Sequence, residues 1–156
     1  TMGYEIERKF LIRNNSWENK TDAPGKNYCQ GYLLREGGRN VRIRTAGDKG
    51  FITIKGKAEG LRKPEFEYEI PREDAEALLL MCSPSLIYKK RYLVTYEGHT
   101  WEVDVFEGDN AGLTVAEIEL KAEDEQFQLP DWVGEEVSGD SRYSNARLSQ
   151  FPFCNW

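Results

Sequence analysis

The sequence is poor in the residues that build disulfide frameworks and zinc sites. It holds three cysteines, none of them in a C-x-x-C pair, and a single histidine, His99. An odd, scattered set of cysteines argues against both kinds of site and favours a reduced cytoplasmic protein with cysteines in its core. No catalytic constellation accompanies His99, so we interpret it as a turn residue.

Long apolar runs are also absent. No stretch approaches the ~18 residues that would span a bilayer, and no signal peptide is recognisable, so we expect a cytoplasmic protein without a membrane partner. The net charge of −6 argues against general binding to nucleic acid. Because no repeat or linker interrupts the 156 residues, we predict a single domain over residues 2–156.

What the sequence has in abundance is alternation of apolar and polar residues. A period of two is typical of β-strands, and it recurs often enough to predict eight short antiparallel-type strands. They lie in YEIERKFLI, NYCQGYLLRE, the hairpin NVRIRTAGDKGFITIKGK, EFEYEI, the hairpin IYKKRYLVTYEGHTWEVDVFEG and LTVAEIELKA.

Helical signals are fewer. Residues 71–80 begin with proline and acids and continue into a leucine run, which is typical of a helix start. The tail has helix-compatible spacing in DWVGEEV and SNARLSQF, and SWENK could form one turn. We therefore predict a mainly β (α+β) fold, either a closed barrel or a sandwich, with a C-terminal helix from about residue 140 packed on it.

The polar face of most predicted strands carries charge of one sign. If these faces point outward, they are the solvated faces of a sandwich with cross-strand ion pairs. If they point inward, they form a wet cavity whose basic and acidic walls a polyanion and divalent cations would neutralise. The basic faces hold Arg42 and Arg44, Lys55 and Lys57, and Lys89 and Arg91; the acidic faces hold Glu5 and Glu7 with Lys9, Glu65, Glu67 and Glu69, Glu102 and Asp104, and Glu117 and Glu119 with Lys121.

The run E-I-E-R-K, which contains Glu5, Glu7 and Lys9, resembles the E-x-E-x-K signature of the CYTH domain, the triphosphate tunnel metalloenzymes. R-I-R, T-I-K, E-F-E-Y-E, K-K-R, D-V-F and E-I-E-L follow in that family's order, and G-D-S-R-Y-S-N-A-R-L resembles the ending of its short bacterial members. The resemblance implies an eight-stranded antiparallel closed barrel that forms a charged tunnel, with a few flanking helices.

Carried onto this sequence, the resemblance implies three roles. The catalytic residues would be Lys89, Glu7 and Lys9, with Lys89 the most sensitive cation. The residues that would bind substrate are Lys9, Arg42, Arg44, Lys55, Lys89 and Arg91. The residues that would hold Mg²⁺ or Mn²⁺ are Glu5, Glu7, Glu67, Asp104, Glu117 and Glu119. Glu65, Glu69 and Glu102 share the same face but lie further from the motifs, and Tyr28 and Tyr32 are interpreted as packing residues.

The resemblance is closest to the short inorganic triphosphatases, which split tripolyphosphate into pyrophosphate and phosphate. The alternatives are an adenylate cyclase or a nucleoside or thiamine triphosphatase of the same fold. Cyclase-type members carry a His-Phe pair ahead of the acids, whereas Met2, Gly3 and Tyr4 stand there in this sequence. A non-catalytic polyphosphate- or nucleotide-binding module is a further alternative, although it would gain nothing from six carboxylates. The expected partner is a small-molecule triphosphate, and the chain could also pair as a homodimer.

Overall fold

The computed structural model describes residues 3–156 as one antiparallel sheet of nine strands with two short helices. Met2, the first residue of the predicted domain, lies outside the described residues. The strands are β1 Tyr4–Ile12, β2 Lys26–Glu36, β3 Arg39–Ala46, β4 Lys49–Lys55, β5 Arg62–Ile70, β6 Ile87–Tyr96, β7 His99–Phe106, β8 Thr114–Leu120 and β9 Val133–Glu136. The helices are α1 Arg72–Leu79 and α2 Asn145–Leu148.

Eight of the strands close into a ring. The strand order runs β5-β4-β3-β2-β6-β7-β8-β1, and β1 pairs back onto β5 with Glu5 opposite Lys63. The predicted closed, mainly β architecture is therefore confirmed. β9 lies outside the ring and pairs with β1 alone, where Phe10 stands opposite Glu136.

Apolar side chains on the outside of the ring are covered on two sides. On one side α1 packs against β2 to β5, and its Ala75 approaches Gly50 so closely that an added Cβ would lie 2.7 Å from the Ala75 Cβ. On the other side Trp17 and Trp132 pack with the buried Trp101 of β7. Because both cores lie outside the ring, the inner face is left to the polar residues of the alternation.

We define the tail as residues 137–148; from about residue 140 the sequence predicts a helix packed on the barrel. Its residues Tyr143 and Leu148 instead pack with Ile87, Phe106 and Val115, which lie on inward-facing positions at one end of the ring. The helix α2 is only one turn long. The tail therefore closes that end of the ring.

The helix predicted within DWVGEEV is wrong, because this segment contains the strand β9. Beyond Ile6 the edge of β1 has no hydrogen bonds to β5, and β9 takes up the pairing from Phe10 onward. A free strand edge is a strong template for another strand, which local helical spacing cannot reveal. None of the helices among residues 3–156 is long and apolar enough to cross a bilayer.

Candidate active site

The ring encloses a cavity of about 250 Å³ whose wall is almost entirely charged. Alternation along the strands sends the charged faces inward, so the inward interpretation of those faces is the correct one. The wall is formed by Glu5, Glu7, Tyr28, Arg42, Arg44, Ala46, Phe51, Lys55, Glu65, Glu67, Arg91, Glu102, Glu117, Glu119 and Asn145.

Charge is divided between two halves of the ring. In one half of the ring β4, β3 and β6 supply the basic residues of the cavity and β2 adds Tyr28, and in the other half the neighbouring strands β7, β8, β1 and β5 supply the acidic residues. Charges on opposite walls attract each other more strongly than they would in bulk water, because the surrounding protein screens the interaction less. The cavity is thus able to hold an extended anion along one wall and cations along the other.

Several basic residues of the interior form ion pairs, Lys55 and Arg42 with acids of the facing half and Lys9 with the neighbouring strand β8. Lys55 Nζ lies 2.6 Å from Glu5 Oε1 and Lys9 Nζ lies 3.4 Å from Glu117 Oε1. Arg42 is 3.3 Å from Glu67, which also accepts a hydrogen bond from Thr53. These pairs offset the cost of keeping buried charges apart from water.

A second cluster lies where β6 meets β7, behind the cavity wall. Lys89 and Asp104 are both fully buried, with 2.7 Å between Nζ and Oδ2. Arg91 forms a two-point contact with the same carboxylate, at 2.7 and 2.9 Å. Burial raises the pKa of Asp104, but Arg91 and Lys89 outweigh burial and lower that pKa to about 2.

Arg91 also pairs with Glu102 at 3.1 Å, whereas Asp104 is the one carboxylate within 4 Å of Lys89 among the described residues. Burial outweighs the attraction of Asp104 and lowers the pKa of Lys89 to about 7, with Arg91 and Arg44 lowering it further. Lys89 Nζ also donates a hydrogen bond to Asn145 Oδ1 of the tail at 3.2 Å. Lys89 is thereby fixed in place and able to exchange a proton near neutral pH.

Arg44 has no acidic partner within 4 Å among the described residues. Its Nε donates to Gln30 Oε1 at 2.8 Å, and its guanidinium lies 4.9 Å from the centre of the Tyr28 ring. Burial, followed by Arg42 and Arg91, lowers its pKa to about 10. The amide Nε2 of Gln30 and Nε of Arg42 are buried without any hydrogen-bond acceptor. In this part of the wall Arg42 thus pairs with Glu67, whereas Arg44 pairs with no carboxylate of the described residues.

Carboxylates crowd the opposite wall. Burial, followed by Glu117 and Glu5, raises the pKa of Glu7 to about 8. Burial and Glu5 likewise raise the pKa of Glu65 to about 7. Clustered carboxylate oxygens suit hard divalent cations such as Mg²⁺ and Mn²⁺. Within residues 3–156, however, no three acidic, histidine or cysteine side chains already stand in coordinating geometry.

Nine of the twelve predicted site residues line the cavity. Lys9, Lys89 and Asp104 do not; Lys9 turns toward the tail, where its Nζ donates to the Tyr143 carbonyl oxygen at 2.9 Å. Glu65 and Glu102, which strand parity had placed on the correct face, also line it. Tyr28 lies in the wall rather than in an apolar core. Asn145 was not predicted as a site residue, because the strand pattern does not indicate that the tail enters the ring.

The CYTH domain family model matches residues 3–150 of the chain. The chain is similar to an inorganic triphosphatase of Acetivibrio thermocellus, with 45% identity and 99% of each sequence covered. It is also similar to an inorganic triphosphatase of Nitrosomonas europaea, with 34% identity over 93% of this chain and 96% of that protein. A solved structure described as an inorganic triphosphatase superposes with a TM-score of 0.65, at 33% identity and 93% coverage of both chains.

Proposed function

The chain belongs to the CYTH domain family, and on that premise we propose that it hydrolyses inorganic tripolyphosphate to pyrophosphate and phosphate with the help of a divalent metal ion. Relatives that match almost their whole length are named inorganic triphosphatases, which supports this assignment. The substrate is a small-molecule triphosphate. A cytoplasmic location and a homodimer remain predictions of the sequence.

The observation that carries the proposal is the basic wall around Arg44. This buried guanidinium has no carboxylate partner among the described residues. Two further donors without an acceptor lie nearby: Nε of Arg42 on the same strand, β3, and Nε2 of Gln30 on the neighbouring strand, β2. Phosphate oxygens would accept from all three, and charge-assisted hydrogen bonds of this kind are shorter and stronger than neutral ones. An extended triphosphate supplies several such oxygens in a row.

The composition of the cavity wall favours an inorganic substrate over a nucleotide. Besides charged side chains and Asn145, it contains only Tyr28, Ala46 and Phe51. A nucleobase is normally bound between apolar or aromatic surfaces with a few polar groups that read its edge. A cavity of about 250 Å³ with this wall is better suited to phosphates alone.

The acidic wall would hold the metal. Triphosphatases of the CYTH family are metal-dependent in general, and we propose Mg²⁺ or Mn²⁺ held by Glu117 and Glu119 with Glu5, Glu7 and Glu67 nearby. Such a cation would polarise the phosphate oxygens and offset their charge. The raised pKa values of Glu7 and Glu65 reflect the carboxylate crowding that a divalent cation relieves. Asp104 is better suited to anchoring Lys89 and Arg91, since both of its oxygens are already engaged.

Substrate binding would rearrange the ion pairs of the tunnel. Lys55 and Arg42 would leave Glu5 and Glu67 for phosphate oxygens, and the freed carboxylates would become available to a cation. Glu7 would position the attacking water, and Lys9 would bind the phosphate nearest the tail. Lys89, with a pKa of about 7, is suited to offset or protonate the leaving pyrophosphate or phosphate oxygen.

The test is phosphate release by the purified protein from tripolyphosphate, ATP and thiamine triphosphate, each with Mg²⁺, Mn²⁺ or EDTA. We expect fast, metal-dependent release from tripolyphosphate and slow release from the other two. The double variant Glu117→Gln/Glu119→Gln should lose turnover, whereas Glu59→Gln, an exposed carboxylate outside the cavity, should not. Tight triphosphate binding without turnover would leave a binding module, and cyclic nucleotide with pyrophosphate from ATP would identify a cyclase.

A further inference from the structure

A second cavity of about 230 Å³ opens through the side of the ring. Glu7 lines both this cavity and the central one, so the two adjoin at that side chain. The wall on one side is formed by Gly60, Leu61 and Lys63 at the start of β5, and the wall on the other side by residues 137–141 and 144 of the tail. We call this cavity the side opening.

The side opening exists because the strand pairing of β1 changes partner there. Toward its start β1 pairs with β5, ending at Ile6 opposite Arg62. Pairing with β9 begins only at Phe10. Between these points the same edge of β1 has contacts from the tail alone, through Lys9 and Ser138 or Val137. The wall of the ring is thus interrupted next to Glu7 and Lys9.

Two lysines from different strands face the side opening. Lys9 Nζ is held by the Tyr143 carbonyl oxygen and by Glu117. Lys63 forms no ion pair within 4 Å among residues 3–156, although it stands opposite Glu5 in the strand register. Of the two carboxylates that line the opening, Asp140 pairs with Arg142 at 2.7 Å, whereas Glu7 lies at the junction with the central cavity. The opening therefore offers an uncompensated cation to a small anion.

We propose that the side opening binds orthophosphate and releases it from the tunnel while the central cavity is still occupied. The tail closes one end of the ring, and its Asn145 forms part of the cavity wall. A product formed next to the tail cannot leave through the open end of the tunnel until the other product has left. The side opening gives it a separate path past Glu7 and Lys63. This inference rests on the proposed function.

Steady-state inhibition by inorganic phosphate tests the proposal. We expect orthophosphate to inhibit noncompetitively against tripolyphosphate, because the two occupy different cavities. Lys63→Gln should raise the inhibition constant for orthophosphate about tenfold, the loss expected for one charge-assisted contact, and should leave the KM for tripolyphosphate unchanged. Lys57→Gln removes the same charge from an exposed position outside both cavities and should have no effect.

A steric variant tests the same path without changing charge. Gly139 lines the opening, a Cβ there would meet no atom within 4 Å and its φ is not positive, so a larger side chain can be placed at the opening without straining the backbone. We expect Gly139→Leu to lower kcat and KM together several-fold at unchanged kcat/KM, because only a step after hydrolysis is slowed, and Gly139→Ala to lie between it and the wild type. Thermal melting checks that each variant is folded; should Gly139→Leu fail to fold, Gly139→Ala and Lys63→Gln decide.

The outcomes separate this inference from the proposed function. If the wild type hydrolyses tripolyphosphate but orthophosphate competes with it, and Lys63→Gln and Gly139→Leu behave like Lys57→Gln, the side opening has no such role. Calorimetric titration with inorganic phosphate alone needs no turnover. If the protein hydrolyses no triphosphate yet binds orthophosphate in a manner lost in Lys63→Gln, the anion site stands and the proposed substrate is wrong.

Discussion

Replacing Asp104 with Asn should destabilise the fold more than any other carboxylate-to-amide change in the tunnel. The carboxylate is fully buried and holds Lys89 at 2.7 Å and Arg91 at two points. A pKa lowered from 3.8 to about 2 alone corresponds to about 2 kcal/mol of unfolding free energy. Removing one partner of a buried pair costs about 3–5 kcal/mol, since the remaining charges stay desolvated. We expect a loss within that range.

Urea denaturation followed by circular dichroism would measure this loss. Because the folded pKa of Asp104 is depressed, the wild type should lose its advantage over the variant as the pH falls from 3.8 toward about 2. Glu136→Gln is the matched control: its carboxylate also makes a two-point contact, to Arg8 at 2.6 and 2.8 Å, but both side chains are about one-third exposed. That change should cost less than about 1 kcal/mol. A loss below about 1 kcal/mol for Asp104→Asn as well would refute the reasoning.

Two further predictions concern the walls of the cavity. Because the pKa of Glu7 is raised to about 8 in the folded protein, Glu7 ionises first in the unfolded chain, and the free energy of unfolding falls as the pH rises from about 4.5 to about 8. In EDTA, Glu7→Gln should therefore become more stable than the wild type by a margin that grows across this range. Urea titrations at several pH values measure that margin, and a constant margin would contradict the prediction. Arg44→Gln should not lower the unfolding free energy, because it removes a buried cation without a carboxylate partner among the described residues, yet it should raise the KM for tripolyphosphate about tenfold or more. Equal KM values would argue that Arg44 does not contact substrate.

The charged interior could be predicted from the sequence because a strand has only two faces. Parity placed Glu5, Glu7 and Lys9 together, and it also placed Glu65 and Glu102 on the side that lines the cavity. Parity cannot say which face is inside, since a sandwich and a tunnel share the same alternation. The resemblance to a known family supplied that orientation, and the ring confirmed it.

Features that depend on contacts between distant segments could not be predicted from the sequence. β9 forms because β1 has a free edge beyond Ile6, and local spacing in that segment had suggested a helix. Asn145 enters the site because the tail packs inside the ring, and a one-turn helix carries no periodic signal of its own. Lys9 has the predicted parity but turns toward Tyr143, since the tail offers a carbonyl oxygen there.

The pairing of β1 with β8 also constrains the order in which the molecule can assemble. Lys9 finds its partner Glu117 far along the sequence, so this edge of β1 stays unpaired until β8 is synthesised, whereas the pairing of β1 with β5 can form earlier. Such long-range pairing slows folding, because the entropy of a large loop is lost before the contacts form. During that wait Lys9 has no Glu117 carboxylate to balance its charge, although Glu5 can already pair with Lys55. Ring closure should therefore be a late, salt-sensitive event of folding on the ribosome, in which the tail arrives last and seals the ring behind Lys89.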